Sequence, residues 1–291
     1  MSEKRIVVDF HMHPITYQTY QPSALGWIHS IVSQKNDFEQ VYTRYSDPDA
    51  FVRFIKESGI DYAVIMAELC PITTGICTNE YVAEFCKDRS ELLPFASINP
   101  ATDLAPAEKL EELITRFGFR GLKLYPTYQH FYPNDRKLYP LYSVAQAMDI
   151  PIMLHTGSSV FQGARLKYGD PLYLDDVAVD FPRLKLLLVH GGRGFWYDRA
   201  YFLAKLHENV FLEIAGLPPH NLLKYFPDLG KIAHKVIYGS DWPGVADLAE
   251  NLKAICLLPM TPEQHNLILG GNALRLLNMP VKIPSSVTNP T

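Results

Sequence analysis

The sequence has no apolar run near the roughly 20 residues needed to cross a membrane. Its Lys and Arg residues are scattered over a chain of net charge -4, so there is no basic stripe of the kind that binds nucleic acid. The four cysteines, Cys70, Cys77, Cys86 and Cys256, show neither Cys-x-x-Cys spacing nor the density of a disulfide scaffold. They are expected to be reduced thiols of a cytoplasmic protein. Met1-Ser2-Glu3-Lys4-Arg5 runs straight into an apolar strand, unlike a secretory leader. A Gly-rich phosphate loop is also missing. Gly191-Gly192-Arg193-Gly194 comes nearest and lacks the G-x-G-x-x-G spacing, which argues against a doubly wound nucleotide-binding sheet.

What remains is an apolar-rich chain of 291 residues in which β-like runs alternate with helical patterns. The expected strands are Ile6–Phe10, Tyr62–Met66, Leu92–Ser97, Gly121–Leu124, Pro151–His155, Leu184–His190, Val210–Glu213 and Val236–Tyr238. Leu186-Leu187-Leu188-Val189 is continuously apolar, as in a parallel strand covered on both faces. Helices are expected from Asp103-Leu104-Ala105-Pro106-Ala107 through Leu110, Leu113 and Ile114 toward Gly118, and from Tyr139 to Met148. The pattern fits an α/β fold, a single (β/α)8 TIM barrel, regular or distorted, spanning residues 1–279. A helical appendage is expected from Thr261 to Asn278, and a polar tail over 280–291.

His11-Met12-His13 ends the first strand. Side chains two apart on a strand share a face, so this short segment presents two imidazoles side by side. Later strands end in Lys123, His155, His190 and Asp241. The steps from Lys123 to His155 and on to His190 are 32 and 35 residues, close to one βα repeat each, and His190 to Asp241 spans two repeats. Such residues converge over one mouth of a barrel, and together they point to a metal site. The first connection, Pro14 to Ser46, is long and carries Tyr17, Tyr20, Trp27, His29, Tyr42 and Tyr45. It reads as a lid, as aromatic packing on the rim, or as both.

Asp9-Phe10-His11-Met12-His13, Leu154-His155-Thr156-Gly157, Val189-His190-Gly191-Gly192 and Tyr238-Gly239-Ser240-Asp241-Trp242-Pro243 together resemble the amidohydrolase superfamily, in its branch of TIM-barrel hydrolases and non-oxidative decarboxylases. The resemblance implies His11, His13, His155 and Asp241 as ligands of one divalent metal, zinc foremost, with manganese or iron as alternatives. It implies that His190 contacts the activated water or joins a second metal site. Lys123 is similar to the strand-four lysine that binuclear members carbamylate to bridge two metals. Otherwise it stays cationic and binds a substrate carboxylate or an internal acid.

Imidazoles with one carboxylate suit zinc, which lowers the pKa of a bound water to about 7. Asp241 and His190 are the catalytic candidates, the first to accept the water's proton and the second to hold water or polarise a carbonyl. Arg193 is a candidate carboxylate clamp, and Tyr125, Tyr128, His130 and Trp242 are candidate pocket residues. Glu213 lines the site or fixes nearby backbone; His207, His234 and His265 read as structural or solvated, and His29 and His220 also fall away from strand ends. The expected function is hydrolysis of an amide, ester or lactone bond in a small carboxylated molecule. Decarboxylation of an aromatic or unsaturated acid is the alternative, and a silent metal-binding barrel the third reading. The partner is a small molecule rather than nucleic acid or membrane, and a homodimer is an expectation from the resemblance alone.

Overall fold

A computed structural model describes residues 5–280. The first four residues and all but the first residue of the expected tail lie outside the described residues. Ten strands form among the described residues: β1 (Val8–Met12), β2 (Tyr62–Met66), β3 (Glu68–Cys70), β4 (Gly75–Cys77), β5 (Leu92–Ser97), β6 (Gly121–Leu124), β7 (Ile152–Gly157), β8 (Leu186–Arg193), β9 (Val210–Glu213) and β10 (Val236–Ile237). Eight make one sheet in the order β1-β2-β5-β6-β7-β8-β9-β10, with every pair parallel. Backbone hydrogen bonds bring the last strand to the first: Phe10 N to Tyr238 O at 3.0 Å, Asp241 N to His11 O at 2.9 Å and His13 N to Trp242 O at 2.8 Å. The architecture is a nearly closed TIM barrel, and the eight expected strands are its staves.

Alternation along the strands builds two apolar layers. Val64 and Met66 of β2, Met153 of β7, and Leu187 and Val189 of β8 fill the interior. Ala63, Ile65, Ile152, Leu154, Leu186 and Leu188 face the surrounding helices. Both faces of β8 are therefore covered, which explains its unbroken apolar run. The helix Pro106–Phe117 starts on proline and stops at Gly118, whose φ of +73° ends the turn. The C-terminal segment is helical from Pro262 to Leu276 through a π-helical turn at Leu267–Gly271. Its Ala273, Leu274, Leu276 and Leu277 pack with Val8 and Ile237 at the base of the barrel, so the expected appendage is a plug.

Two irregularities aim the functional residues. Between Asp9 and Met12, β1 advances three residues while β2 advances two. This bulge lets Phe10 pack inside against Phe95, at 5.4 Å between rings, and still turns His11 into the barrel mouth. Strict alternation would have placed Phe10 and His11 on opposite faces. At the β7–β8 pair, His155 faces Val189 and Gly157 faces Arg193, so β8 uses four residues where β7 uses two. His190, Gly191 and Gly192 take up the excess with φ of 62°, 55° and 72°. A side chain at Gly192 would put its Cβ 2.4 Å from Trp196 O, so the bend requires glycine.

Two features depart from expectation. The first connection is not an open loop: it holds helices at Pro22–Val32 and Phe38–Tyr45, capped in the latter case by Asp37. The antiparallel hairpin β3–β4, inserted directly after β2, has strands too short to register in the sequence pattern. All four cysteines are free. Among the described residues no helix is long and apolar enough to cross a membrane.

Candidate active site

A cavity of about 230 Å³ opens at the C-terminal ends of the strands. His11, His13, Lys123, His155, His190, Arg193 and Asp241, all expected from the sequence, line it. Asp241 is the centre. Its Oδ1 lies 3.2 Å from His11 Nε2 and 3.6 Å from His13 Nε2, and its Oδ2 lies 3.9 Å from His190 Nδ1 and 4.0 Å from Arg193 Nη1. Burial opposes ionisation of this carboxyl, but the surrounding imidazoles, His11 first, outweigh it and hold Asp241 well below the usual carboxylate range. Asp241 sits at φ +67°, a costly conformation for a residue with a Cβ, next to Gly216.

The imidazoles are oriented from behind. His11 Nδ1 meets Glu213 Oε1 at 3.0 Å, and the other Glu213 oxygen accepts from His190 N at 3.0 Å. His190 Nδ1 donates to Ala215 O at 2.8 Å, so its Nε2 carries the lone pair. Burial, reinforced by the Arg193 charge, keeps His155 and His190 well below the ordinary imidazole range, and both are neutral at pH 7. His155 Nε2 is buried without a hydrogen-bond partner, its ring 4.7 Å from that of His190. Burial also pulls the Lys123 ammonium down to about 8; its Nζ lies 3.5 Å from His11 Nε2 and 5.0 Å over the Tyr125 ring.

Among the described residues two groups have ligand atoms close enough to share an ion: His11, His13 and Asp241, and His11, His190 and Glu213. The first fits a divalent metal. Two imidazole nitrogens and a carboxylate converge, and the unpartnered His155 Nε2 supplies a fourth donor in the same cavity. The second is already a hydrogen-bond network, since both Glu213 oxygens and His190 Nδ1 are engaged.

The expected pocket residues divide. Tyr125 and Tyr128 line the cavity; Tyr125 OH donates to Ala67 O at 3.0 Å, and the Tyr128 ring stands 4.7 Å from His155. His130 does not reach the cavity wall. It caps a short helix at φ +60° and its Nε2 is 2.7 Å from Gly163 O, where it pins the loop bearing Val160 and Phe161. Trp242 does not line the cavity either. The left-handed turn at Asp241 sends it to the other side, where it packs 5.3 Å from Phe51 and 5.5 Å from Phe54. Tyr20, Ala24, Trp27 and Ile28 of the first connection line the cavity while Tyr45 packs on Trp242, so that segment both roofs the site and seals the rim. His29 and His220 are exposed, and His207 pairs with Asp175 at 2.6 Å.

Sequence reasoning overlooked Glu68, which faces the cavity and lies 3.5 Å from His13 Nδ1. It sits just past the end of β2, so the strand-end rule that found the other residues could have found it. Gly216 was also overlooked. A Cβ there would fall 2.6 Å from Asp241 Oδ2, and no sequence signal marks it.

The Amidohydrolase family model matches residues 8–279. The chain belongs to the amidohydrolase family. That family is metal-dependent, in keeping with the buried donor group. Three solved structures share the fold. An uncharacterized TIM-barrel protein from Bordetella bronchiseptica is 23% identical, with 94% of this chain and 98% of that one covered and a TM-score of 0.78. A 4-oxalomesaconate hydratase from Rhodopseudomonas palustris is 18% identical, with coverage of 94% and 96% and a TM-score of 0.65. A 5-carboxyvanillate decarboxylase from Novosphingobium aromaticivorans, with bound manganese, is 13% identical, with coverage of 96% and 98% and a TM-score of 0.68.

Proposed function

We propose that this chain is a hydrolase of an amide, ester or lactone bond in a small molecule bearing one carboxylate, dependent on one divalent metal. The observation that carries the reading is the convergence of His11 Nε2 and His13 Nε2 on Asp241 Oδ1 in the floor of the cavity. His11, His13, His155 and Asp241 would hold the ion, with zinc the first choice for this donor set and manganese or iron the alternatives. Such an ion supplies Lewis acidity and lowers the pKa of a water to about 7. At neutral pH Asp241 is ionised and His190 is neutral, so these two groups can accept a proton. That favours reactions that begin by removing a proton from water. Asp241 takes that proton and returns it to the leaving group, while His190 orients the water through its free Nε2.

Arg193 anchors the substrate. Its Nη2 donates to Ser158 O at 3.2 Å, which fixes the guanidinium at the cavity wall for a carboxylate. Farther out the wall is Ala24, Trp27, Ile28, Val160 and Phe161, all uncharged. Lys123 remains an unmodified lysine beneath the site in this reading. A second reading, decarboxylation of an aromatic acid, draws on the rings of Trp27, Tyr128 and Phe161 around the cavity. The test is a panel of carboxylated amides, esters, lactones and aromatic acids, assayed in parallel for hydrolytic products and for CO2. Turnover should vanish on chelation and fall at least about 10²-fold in Asp241→Asn. Full turnover by metal-free protein would refute both readings, and CO2 as the sole product would select the second. Lys123→Ala should keep one metal per chain; a fall from two to one would restore the carbamate bridge.

A further inference from the structure

His11 and His13 occupy matched settings. Each turns Nε2 toward Asp241 Oδ1 and Nδ1 toward a glutamate, Glu213 for His11 and Glu68 for His13. We propose that Glu68 is a positioning residue for the metal site, doing for His13 what Glu213 does for His11. It is delivered from outside the barrel by the hairpin β3–β4. The proposal rests on the reading of His11, His13 and Asp241 as a divalent-ion site.

A neutral imidazole carries one N–H. An ion at the site would take the Nε2 lone pair, and a carboxylate on the Nδ1 side holds the remaining hydrogen and with it the ring. For His11 the barrel provides this through β9. His13 lies one step beyond the end of β1 and is partly exposed, at 18%, so its ring depends on whatever stands behind it. Glu68 is the carboxylate there, and its own orientation is fixed: Oε1 accepts the hydroxyl hydrogen of Thr74 across the hairpin. The hairpin is clamped in turn to the first connection. Gln21 N donates to Thr74 O at 2.9 Å, Gln21 Nε2 donates to Pro71 O at 2.6 Å, and Tyr20 bridges Gly75. A Cβ on Gly75 would stand 2.3 Å from Thr19 O, so the close approach needs glycine at that position. Gln21 is followed at once by the helix Pro22–Val32, whose Ala24, Trp27 and Ile28 roof the cavity. Glu68 thereby joins the roof to His13. Its contact is looser than that of Glu213, 3.5 Å against 3.0 Å, as suits a carboxylate held by a hairpin rather than a barrel strand.

The test uses the full chain with Mn²⁺ alone as probe, and compares wild type, Glu68→Ala and Glu68→Gln. Loss of an outer carboxylate partner typically costs 10–100-fold in metal affinity, and that is the fall expected for Glu68→Ala. Glu68→Gln should recover part of it, because the amide oxygen still accepts from His13 Nδ1. The His13 Nδ1–H signal of the Zn²⁺-loaded protein reports the mechanism directly: it should be protected from solvent exchange in wild type and exchange faster in Glu68→Ala. Should Glu68→Ala fail to fold, Thr74→Val removes the hydroxyl that holds Glu68 and should weaken Mn²⁺ binding several-fold. Unchanged affinity with an unchanged His13 Nδ1–H exchange rate in these variants would overturn the role of Glu68 while leaving the metal site standing. Wild-type protein that takes up no divalent ion would overturn both.

Discussion

Gly216→Ala tests the geometry around Asp241 more sharply than deletion of any ligand. Gly216 has φ +66°, and a Cβ there would come 2.6 Å from Asp241 Oδ2, 3.0 Å from Arg193 Nη1 and 3.3 Å from His190 Nδ1. The left-handed backbone alone costs alanine about 1–2 kcal/mol. For a domain of this size that corresponds to a melting temperature lower by roughly 2–8 °C. The new methyl must also push the carboxylate by roughly 0.8 Å to reach ordinary contact, and misplacement on the order of 1 Å costs about 10²-fold in rate. Gly118→Ala is the control. Its φ is +73°, but nothing lies within 4 Å of the added Cβ, so it carries the backbone cost without touching the site. Calorimetry should show a loss of stability in both variants, larger in Gly216→Ala because of the added contact. Metal titration and turnover should show a loss of about 10–100-fold in Gly216→Ala only. Wild-type metal affinity and turnover in Gly216→Ala, or an equal loss in Gly118→Ala, would refute the reasoning.

Arg193→Met should weaken binding of a monocarboxylate such as benzoate by at least about tenfold, read through quenching of Trp27 fluorescence. Isophthalate, with a second carboxylate facing the apolar wall, should bind wild type more weakly than benzoate; the reverse order would sink the single-anion cavity. His265 is buried, its Nε2 has no partner, and burial lowers its pKa below the usual 6.5. The unfolded chain then binds the extra proton as pH falls through 6.5, so stability is lost on the acid side and kept above it. His265→Gln should lose less stability than wild type between about pH 7.5 and pH 5, as followed by denaturant midpoints; parallel losses would contradict this.

The strands and the site were legible to different depths for physical reasons. Apolar runs such as Leu186–Val189 announce barrel strands because parallel staves are covered on both faces. His11, His13, His155, His190 and Asp241 were legible because strand ends recur with the βα repeat. What the repeat cannot show is phase. The bulges at Asp9–Met12 and His190–Gly192 decide which side chains enter the mouth. Trp242 was misplaced for this reason: the left-handed residue before it reverses its direction. His130 was misplaced because a pattern does not distinguish a pocket wall from the anchor of a neighbouring loop. Glu68 stands two residues past the end of β2, within reach of the strand-end rule; what the pattern hides is the hairpin that carries it, whose strands have three residues each.

The proposed centre is a divalent ion held by four donors from three strand ends. Anomalous diffraction from crystals grown with Zn²⁺ or Mn²⁺ tests it most directly. The expected result is one ion per chain, about 2.0–2.2 Å from His11 Nε2, His13 Nε2, His155 Nε2 and an Asp241 oxygen. An ion bound elsewhere, or none at these side chains in protein that turns over substrate, would contradict the account.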